Sequence, residues 1–198
     1  MRKSKYNTLL LHFLEKPLFK AEDARARGIP SRMLAYYCQK GIIERISRGI
    51  YRVMNTSSGI DPEFEELVLT ASSIPHGVIC LISALCYYDL TDQIMREYWI
   101  AIPNEDKCPK RPHTRIVLMR NIRLGQIIVK IGNYNLNIFD RERTIIDAFR
   151  YLNHEVAIKA LQAYLTTSAN YQPNLPKLSQ YAKLLRTNIT PYIMAMTA

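Results

Sequence analysis

Carboxylates that could support phosphodiester chemistry are concentrated near residue 140. The run Asp140-Arg141-Glu142-Arg143 is followed one helical turn later by Asp147. Such a cluster can hold a divalent metal ion, so one hypothesis is a metal-dependent nuclease. The alternative is structural, because Asp140 can cap a helix in which Arg143 pairs with Asp147 one turn along. We prefer the structural interpretation and predict that the protein is not an enzyme.

No other catalytic or metal-binding pattern is present in the sequence. Phosphate-binding loops, dinucleotide fingerprints, zinc-protease motifs and nucleophile elbows are all missing. The four histidines and four cysteines lack the spacing of a zinc site, so we predict no cofactor and no metal. No apolar run approaches the ~20 residues that span a bilayer, which favours a cytoplasmic protein without a membrane partner.

Positive charge is concentrated in the first third of the chain. Residues 1–60 contain 12 Lys or Arg against 4 Asp or Glu, a net charge of +8. Residues 61–198 contain 15 against 13, a net charge of +2. Because each neutralised phosphate releases condensed counterions, a basic cluster of this kind favours a nucleic-acid partner.

Several side chains in this basic segment are of the types that contact DNA. Arg32 could bridge guanine O6 and N7, Gln39 could pair with adenine, and Ala35 could touch a thymine methyl group. The other predicted contacts are to phosphate or to either part of the duplex, and they come from Ser31, Tyr36, Lys40, Arg45, Arg48 and Arg52. A protein-docking role for the same segment is the alternative.

Two predicted helices would position these side chains. Strong helix formers predict a helix over Phe19–Arg27, which Gly28-Ile29-Pro30 ends. Ser31 is predicted to cap a second helix over Arg32–Lys40, which ends at Gly41. The second helix has an apolar side at Leu34 and a polar front, which is the arrangement of a helix that enters a groove.

A basic hairpin is predicted to follow the second helix. Strands over Ile43–Ser47 and Ile50–Val53 meet at Arg48-Gly49, where glycine permits a tight turn. A helix-turn-helix followed by such a hairpin predicts a winged helix over residues 1–58. The small polar stretch around Thr56-Ser57-Ser58-Gly59 is the predicted linker.

Residues 59–198 are predicted to form a mixed α/β C-terminal domain, so that the whole chain is an α+β protein. Helices are expected after Asp61 to about Ser73 and over Val78–Tyr88, Arg141–Tyr151, His154–Leu165 and Pro176–Arg186. Strands are expected over Glu97–Ile102, Arg115–Met119, Gln126–Ile131 and Tyr134–Phe139. The loop 104–114 is basic and could form a second polyanion contact.

Several sequence blocks, in the same order along the chain, resemble the AbiEi family of antitoxins from type IV toxin–antitoxin systems, which also act in abortive phage infection. The resemblance begins at Gly28-Ile29-Pro30 and continues through Gly41 to Arg52. Beyond the linker it includes Ile79 to Leu85, Trp99 to Pro103 and Asp140 to Asp147. Cys38 departs from the pattern, because a larger aliphatic residue is expected there.

The resemblance implies an N-terminal winged helix that binds inverted repeats in its own promoter and represses the operon. It also implies a C-terminal antitoxin domain that counteracts a nucleotidyltransferase-like toxin and need not form a stable complex with it. We expect binding to the double-stranded repeat as a dimer, since one winged helix contacts few base pairs. A transcription factor whose second domain senses a ligand remains an alternative.

Overall fold

The computed structural model describes residues 13, 18–47, 49–54, 60–166 and 171–197. The chain divides into two compact units, residues 1–73 with 130–135, and residues 74–129 with 136–198. Helices and sheets are mixed in the way that the sequence predicts. Most of the predicted linker and the predicted contact residue Arg48 lie outside the described residues. Within the described residues, no helix is long and apolar enough to cross a membrane.

The described residues of the first unit form three helices and a three-stranded sheet of order β1-β3-β2. Its elements are β1 (Leu18–Lys20), α1 (Ala21–Ala26), α2 (Ser31–Gln39), β2 (Ile43–Ser47), β3 (Ile50–Val53) and α3 (Pro62–Ser73). Both strands of the predicted hairpin are confirmed, and they pair antiparallel with a bulge between Arg45 and Ser47. The Asp61 carboxylate accepts a hydrogen bond from the Glu63 N–H at 3.1 Å, as expected at the start of α3.

The predicted helix over Phe19–Arg27 is wrong at its beginning. Phe19 lies in β1, which pairs antiparallel with β3, and helix α1 is only six residues long. The Phe19 ring is 4 % exposed and stacks on Phe13 at 4.2 Å between centroids and on Tyr51 at 5.8 Å. Burial of this aromatic stack and strand pairing outweigh the local helix propensity.

Glycines fix the two ends of α2 in space. Gly28 has φ +83° and Gly41 has φ +65°, so both adopt the left-handed conformation that the sequence predicts. The turn after Gly28 returns Ile29 to the core, where it is fully buried. The turn between α1 and α2 is therefore short and packed, which sets the direction of α2.

The second unit contains most of a mixed five-stranded sheet of order β6-β5-β4-β8-β7, of which only residues 130–135 around the β7–β8 turn are grouped with the first unit. Its elements are β4 (Val78–Ile79), α4 (Leu81–Tyr87), β5 (Tyr98–Pro103), β6 (Thr114–Met119), β7 (Gln126–Ile131), β8 (Tyr134–Phe139), α5 (Arg141–Tyr151), α6 (His154–Leu165), α7 (Leu175–Leu184) and α8 (Thr190–Thr197). The predicted bounds of β7, β8, α5 and α6 are confirmed. Buried side chains from α4 to α7, among them Leu85, Ile145 and Leu161, form the main core.

The predicted helix over Val78–Tyr88 is a strand followed by a shorter helix. Val78 and Ile79 pair antiparallel with β5 and parallel with β8, which makes β4 the central strand of the sheet. Ser83 in α4 accepts a hydrogen bond from the Trp99 N–H at 2.9 Å and ties the helix to β5. An apolar run buried on both faces has no clear period, so periodicity alone did not separate strand from helix.

Candidate nucleic-acid interface

Helix α2 has one buried side and one solvent-exposed side. Leu34 is fully buried and Tyr37 is 1 % exposed, and both pack in the core of the first unit beside Ile29 and Ile43. Residues three or four apart share a helix face, so burial of Leu34 and Tyr37 turns the opposite face to solvent. The helix is thus anchored by its apolar side with a free surface in front.

The residues predicted to contact DNA lie on this free surface. All of the predicted positions in α2 and at its end are exposed: Ser31, Arg32, Ala35, Tyr36, Gln39 and Lys40. Arg32, Ala35 or Tyr36, and Gln39 follow the three- and four-residue spacing of one helical stripe. The predicted exposure is therefore confirmed, and the contacts with DNA stay a prediction.

The start of α2 differs in detail from the sequence prediction. Ser31 is the first residue of the helix and Pro30 is its N-cap, so the predicted side-chain cap by Ser31 is wrong. The Pro30 carbonyl accepts the Met33 N–H at 2.8 Å. Proline stands at the N-cap because its φ of −72° with ψ 153° leads an extended chain into the helix. The first turn of α2 contains no acidic residue, so no side chain of that turn offsets the positive end of the helix dipole.

The C-terminal end of α2 carries a cation beside an aromatic ring. The Lys40 Nζ lies 5.9 Å from the centroid of the Tyr36 ring. Tyr36 is 47 % exposed and its ring meets Tyr37 edge-on at 5.6 Å between centroids. The exposed ring and ammonium group are thus supported from below by a buried aromatic side chain.

The hairpin places two more predicted residues at the surface. Arg45 is exposed, and the Arg52 guanidinium is bound to the Glu44 carboxylate at 2.6 Å across the β2–β3 pair. Burial raises the pKa of the Cys38 thiol and the positive charge of Arg45 opposes this effect. The ion pair with Glu44 fixes the direction of the Arg52 side chain and partly neutralises its positive charge.

The carboxylates near residue 140 form a second charged cluster, and it is buried. Asp140 caps α5 by accepting the Arg143 N–H at 2.8 Å, and the Arg143 Nε lies 2.7 Å from Asp147 Oδ2. The cap and the ion pair are both confirmed. The side chains of Arg143 and Asp147 are each only 1 % exposed, so this pair lies in the core, which the sequence pattern alone did not indicate.

Lys177 and two tyrosines contact the carboxylate oxygens of Asp140 and Glu142. The Lys177 Nζ lies 2.9 Å from Asp140 Oδ2 and 3.1 Å from Glu142 Oε2. Tyr181 donates to Asp140 at 3.0 Å, and Tyr164 donates to Glu142 at 2.9 Å.

These contacts decide the protonation of Glu142. Burial raises the pKa of the Glu142 carboxyl group, but hydrogen bonds from Tyr171, Lys177 and Tyr164 outweigh it and hold the pKa below its usual range. Across the described part of the chain, no group of three or more His, Cys, Asp or Glu side chains is arranged to hold a metal ion. The ion pairs of Lys177 and the hydrogen bond of Tyr181 join α7 to the start of α5.

The geometry of α2 and its hairpin can be compared with known families. Residues 7–53 match the family model described as transcriptional regulator, AbiEi antitoxin. This match confirms the AbiEi resemblance over the segment that contains β1, α1, α2 and the β2–β3 hairpin. No curated protein matches the chain significantly. The exposed face of α2 therefore lies within a segment similar to a family of transcriptional regulators.

Proposed function

We propose that the protein is a DNA-binding AbiEi-type antitoxin that represses its own toxin–antitoxin operon. In this proposal residues 1–58 act as a winged helix, with α2 in the major groove and the β2–β3 hairpin as the wing. Residues 59–198 supply the antitoxin activity against a nucleotidyltransferase-like toxin. The protein works in the cytoplasm and is not an enzyme.

One observation carries the DNA-binding proposal. The exposed stripe of α2 presents Arg32 and Gln39, the two side-chain types that form bidentate pairs with guanine and adenine, on a segment with a net charge of +8. The apolar side chains of Leu34 and Tyr37 pack in the core, so the exposed face of α2 is mostly polar and carries Tyr36 as its exposed aromatic side chain. The AbiEi match over residues 7–53 supports the same proposal.

Each predicted contact residue has a proposed role. Arg32 bridges guanine O6 and N7, Gln39 pairs with adenine, and Ala35 contacts a thymine methyl group. Phosphate contacts come from Ser31 with the α2 N-terminus, and from Lys40, Arg45 and Arg52, while Tyr36 contacts either base or backbone. Arg48, between the two hairpin strands, is assigned to the adjacent minor groove.

The DNA site is proposed to be an inverted repeat in the protein's own promoter. One winged helix reads only a few base pairs, so tight discrimination requires two copies on a symmetric site. The antitoxin role of the second domain rests on the family resemblance, and it does not require a stable complex with the toxin.

A promoter-fusion assay in cells tests the proposal. Expression of the full chain should repress a reporter placed behind its own upstream DNA, and Arg32→Ala/Gln39→Ala should relieve repression without lowering protein level. The matched control is Arg25→Ala, which removes an exposed arginine from α1 and leaves α2 intact. Unchanged reporter output with the wild-type protein would contradict autorepression. The antitoxin role is tested separately by co-expressing a nucleotidyltransferase-like protein encoded by the neighbouring gene and measuring whether the full chain restores cell growth.

A further inference from the structure

A cavity of about 550 Å³ in the second unit is lined by four arginines. They come from distant parts of the chain: Arg120 follows β6, Arg143 and Arg150 lie on α5, and Arg186 follows α7. None of the described residues that line the cavity is acidic. Like charges repel at short range, so four guanidinium groups around one concave space mark a place where an anion would be stabilised.

Two of these arginines are without a counter-ion among the described residues. Within the part of the chain that the structure describes, neither Arg120 nor Arg186 forms an ion pair, and both are exposed. Arg186 also adopts a left-handed backbone with φ +53°, which is costly for a residue other than glycine. Their free guanidinium groups are available to a ligand in the cavity.

The other two arginines form the frame of the cavity. Asp147 is fully buried and binds both of them, with Arg143 Nε at 2.7 Å and Arg150 Nη1 at 2.7 Å. Arg143 Nη1 donates to the carbonyl oxygens of Asn121 and Leu124, each at 2.9 Å. One buried carboxylate thus orients Arg150 and, through Arg143, fixes the loop after Arg120.

We propose that this cavity binds a nucleoside triphosphate or a closely similar organic polyphosphate. A guanidinium group can donate two parallel hydrogen bonds to the oxygens of one phosphate. The cavity also has more cationic than anionic side chains around it, which matches a ligand with several negative charges. Apolar side chains of Leu118, Met119 and Leu185 also line the cavity and provide a surface for a base or a similar organic group. The volume lies within the ~300–1,000 Å³ of small-molecule sites.

The shape of the site favours a small molecule over a DNA backbone. A duplex presents evenly spaced phosphates along a convex surface, and proteins usually meet it with an extended basic strip. Here exposed guanidinium groups of Arg120, Arg150 and Arg186 line a single concave space, so a compact polyanion can contact them together, while the buried Arg143 contributes positive charge from the frame. This inference concerns the second unit and does not depend on DNA binding by α2.

Isothermal titration calorimetry on the full chain tests the proposal. The probes are ATP, GTP, CTP and UTP, with inorganic triphosphate to separate phosphate recognition from recognition of the organic group. We expect saturable binding of at least one nucleotide, and about tenfold or more loss of affinity for Arg120→Gln and for Arg186→Gln. Both residues are exposed, and the glutamine variants are expected to fold.

Arg123→Gln is the matched control, because Arg123 is an exposed arginine in the same loop that does not line the cavity. Its nucleotide affinity should equal that of the wild type. Absence of binding by all four nucleotides and by inorganic triphosphate would overturn the proposal. Equal losses of nucleotide affinity in Arg123→Gln and in the cavity variants would also overturn the proposal. A third contradicting result would be that scrambled duplex DNA displaces the nucleotide and that the cavity variants lose binding to the duplex, because the cavity would then be a DNA contact.

Discussion

Arg143 and Asp147 form a fully buried ion pair, with 2.7 Å between Nε and Oδ2, at the junction of α5 and the loop that follows β6. The same guanidinium lies 4.5 Å from the centre of the Phe139 ring and donates to two loop carbonyl groups. Removal of one charge from such a pair leaves the other buried without compensation. The second unit should therefore depend on this pair for its stability.

Asp147→Asn should lower the free energy of unfolding of the second unit by about 3–5 kcal/mol, because it leaves the Arg143 charge unpaired in the core. Urea denaturation followed by circular dichroism measures the change. Glu97→Gln makes the same change of charge in an exposed pair with Arg115 at 3.9 Å, and it should cost less than about 0.5 kcal/mol. Equal losses of unfolding free energy in the two variants would show that the buried pair contributes no more to stability than the exposed pair.

Gly125→Ala should destabilise the same region by about 1–3 kcal/mol. Gly125 has φ +70°, and a Cβ placed there would lie 2.6 Å from Arg143 Cβ, far inside normal contact distance. Gly41→Ala is the matched control, since Gly41 has φ +65° but a Cβ there meets no described atom within 4 Å. Thermal unfolding should show a clearly larger loss of stability for Gly125→Ala than for Gly41→Ala. An equal or smaller loss would contradict the close packing of Gly125 against Arg143.

Alkaline pH should destabilise the second unit through its tyrosine network. Burial, together with the hydrogen bond to Glu142, raises the pKa of Tyr171 to about 12. An unfolded tyrosine has a pKa of about 10, so the folded state keeps a proton that the unfolded state releases. This stabilisation is complete below about pH 10 and is lost as the pH rises towards 12.

The Tyr171→Phe variant tests this pH dependence. Urea midpoints measured between neutral pH and pH 12 should fall less steeply for Tyr171→Phe than for the wild type, since the shifted group is gone. Glu142→Gln should reduce the slope as well, because it removes the carboxylate that accepts the phenol hydrogen bond. Identical slopes in all three proteins would contradict the proposed linkage.

Strong local signals explain the parts of the fold that could be predicted from the sequence. Gly41 and Gly49 mark turns whose φ values are positive, and Asp140 marks the start of α5. The β7–β8 hairpin around Gly132 and Asn133 has its predicted bounds. In each case the chemistry of one or two residues fixes the backbone nearby, so no knowledge of distant contacts is needed.

The missed features depend on contacts between distant residues. Phe19 joins a strand because Phe13 and Tyr51 stack on it, and Val78 joins the central strand because β5 and β8 lie on its two sides. The cavity arginines were missed for the same reason, since Arg120 and Arg186 are 66 positions apart in the numbering. Sequence spacing could not show that they line one space.

Base contacts and phosphate contacts in α2 should be separable by mutation. Arg32→Ala should weaken specific binding by about 1–3 kcal/mol and relax the preference at one base pair, because it removes a bidentate pair with guanine. Lys40→Ala should weaken binding evenly across sequences and lower the salt slope by about 1, because it removes a phosphate contact. Fluorescence anisotropy with single-substitution duplexes measures both effects. If both variants lost DNA affinity in the same pattern across duplex sequences and salt concentrations, the assigned base and phosphate roles would be contradicted.

The most direct test of the account is binding of the purified full chain to its own upstream DNA over a range of salt concentrations, beside Arg32→Ala/Arg48→Ala. We expect tight binding that exceeds binding to a scrambled duplex, falls steeply with added salt and is weakened in the double variant. Equally weak binding to both duplexes, unaffected by the substitutions, would contradict DNA binding by α2 and the autorepressor function built on it.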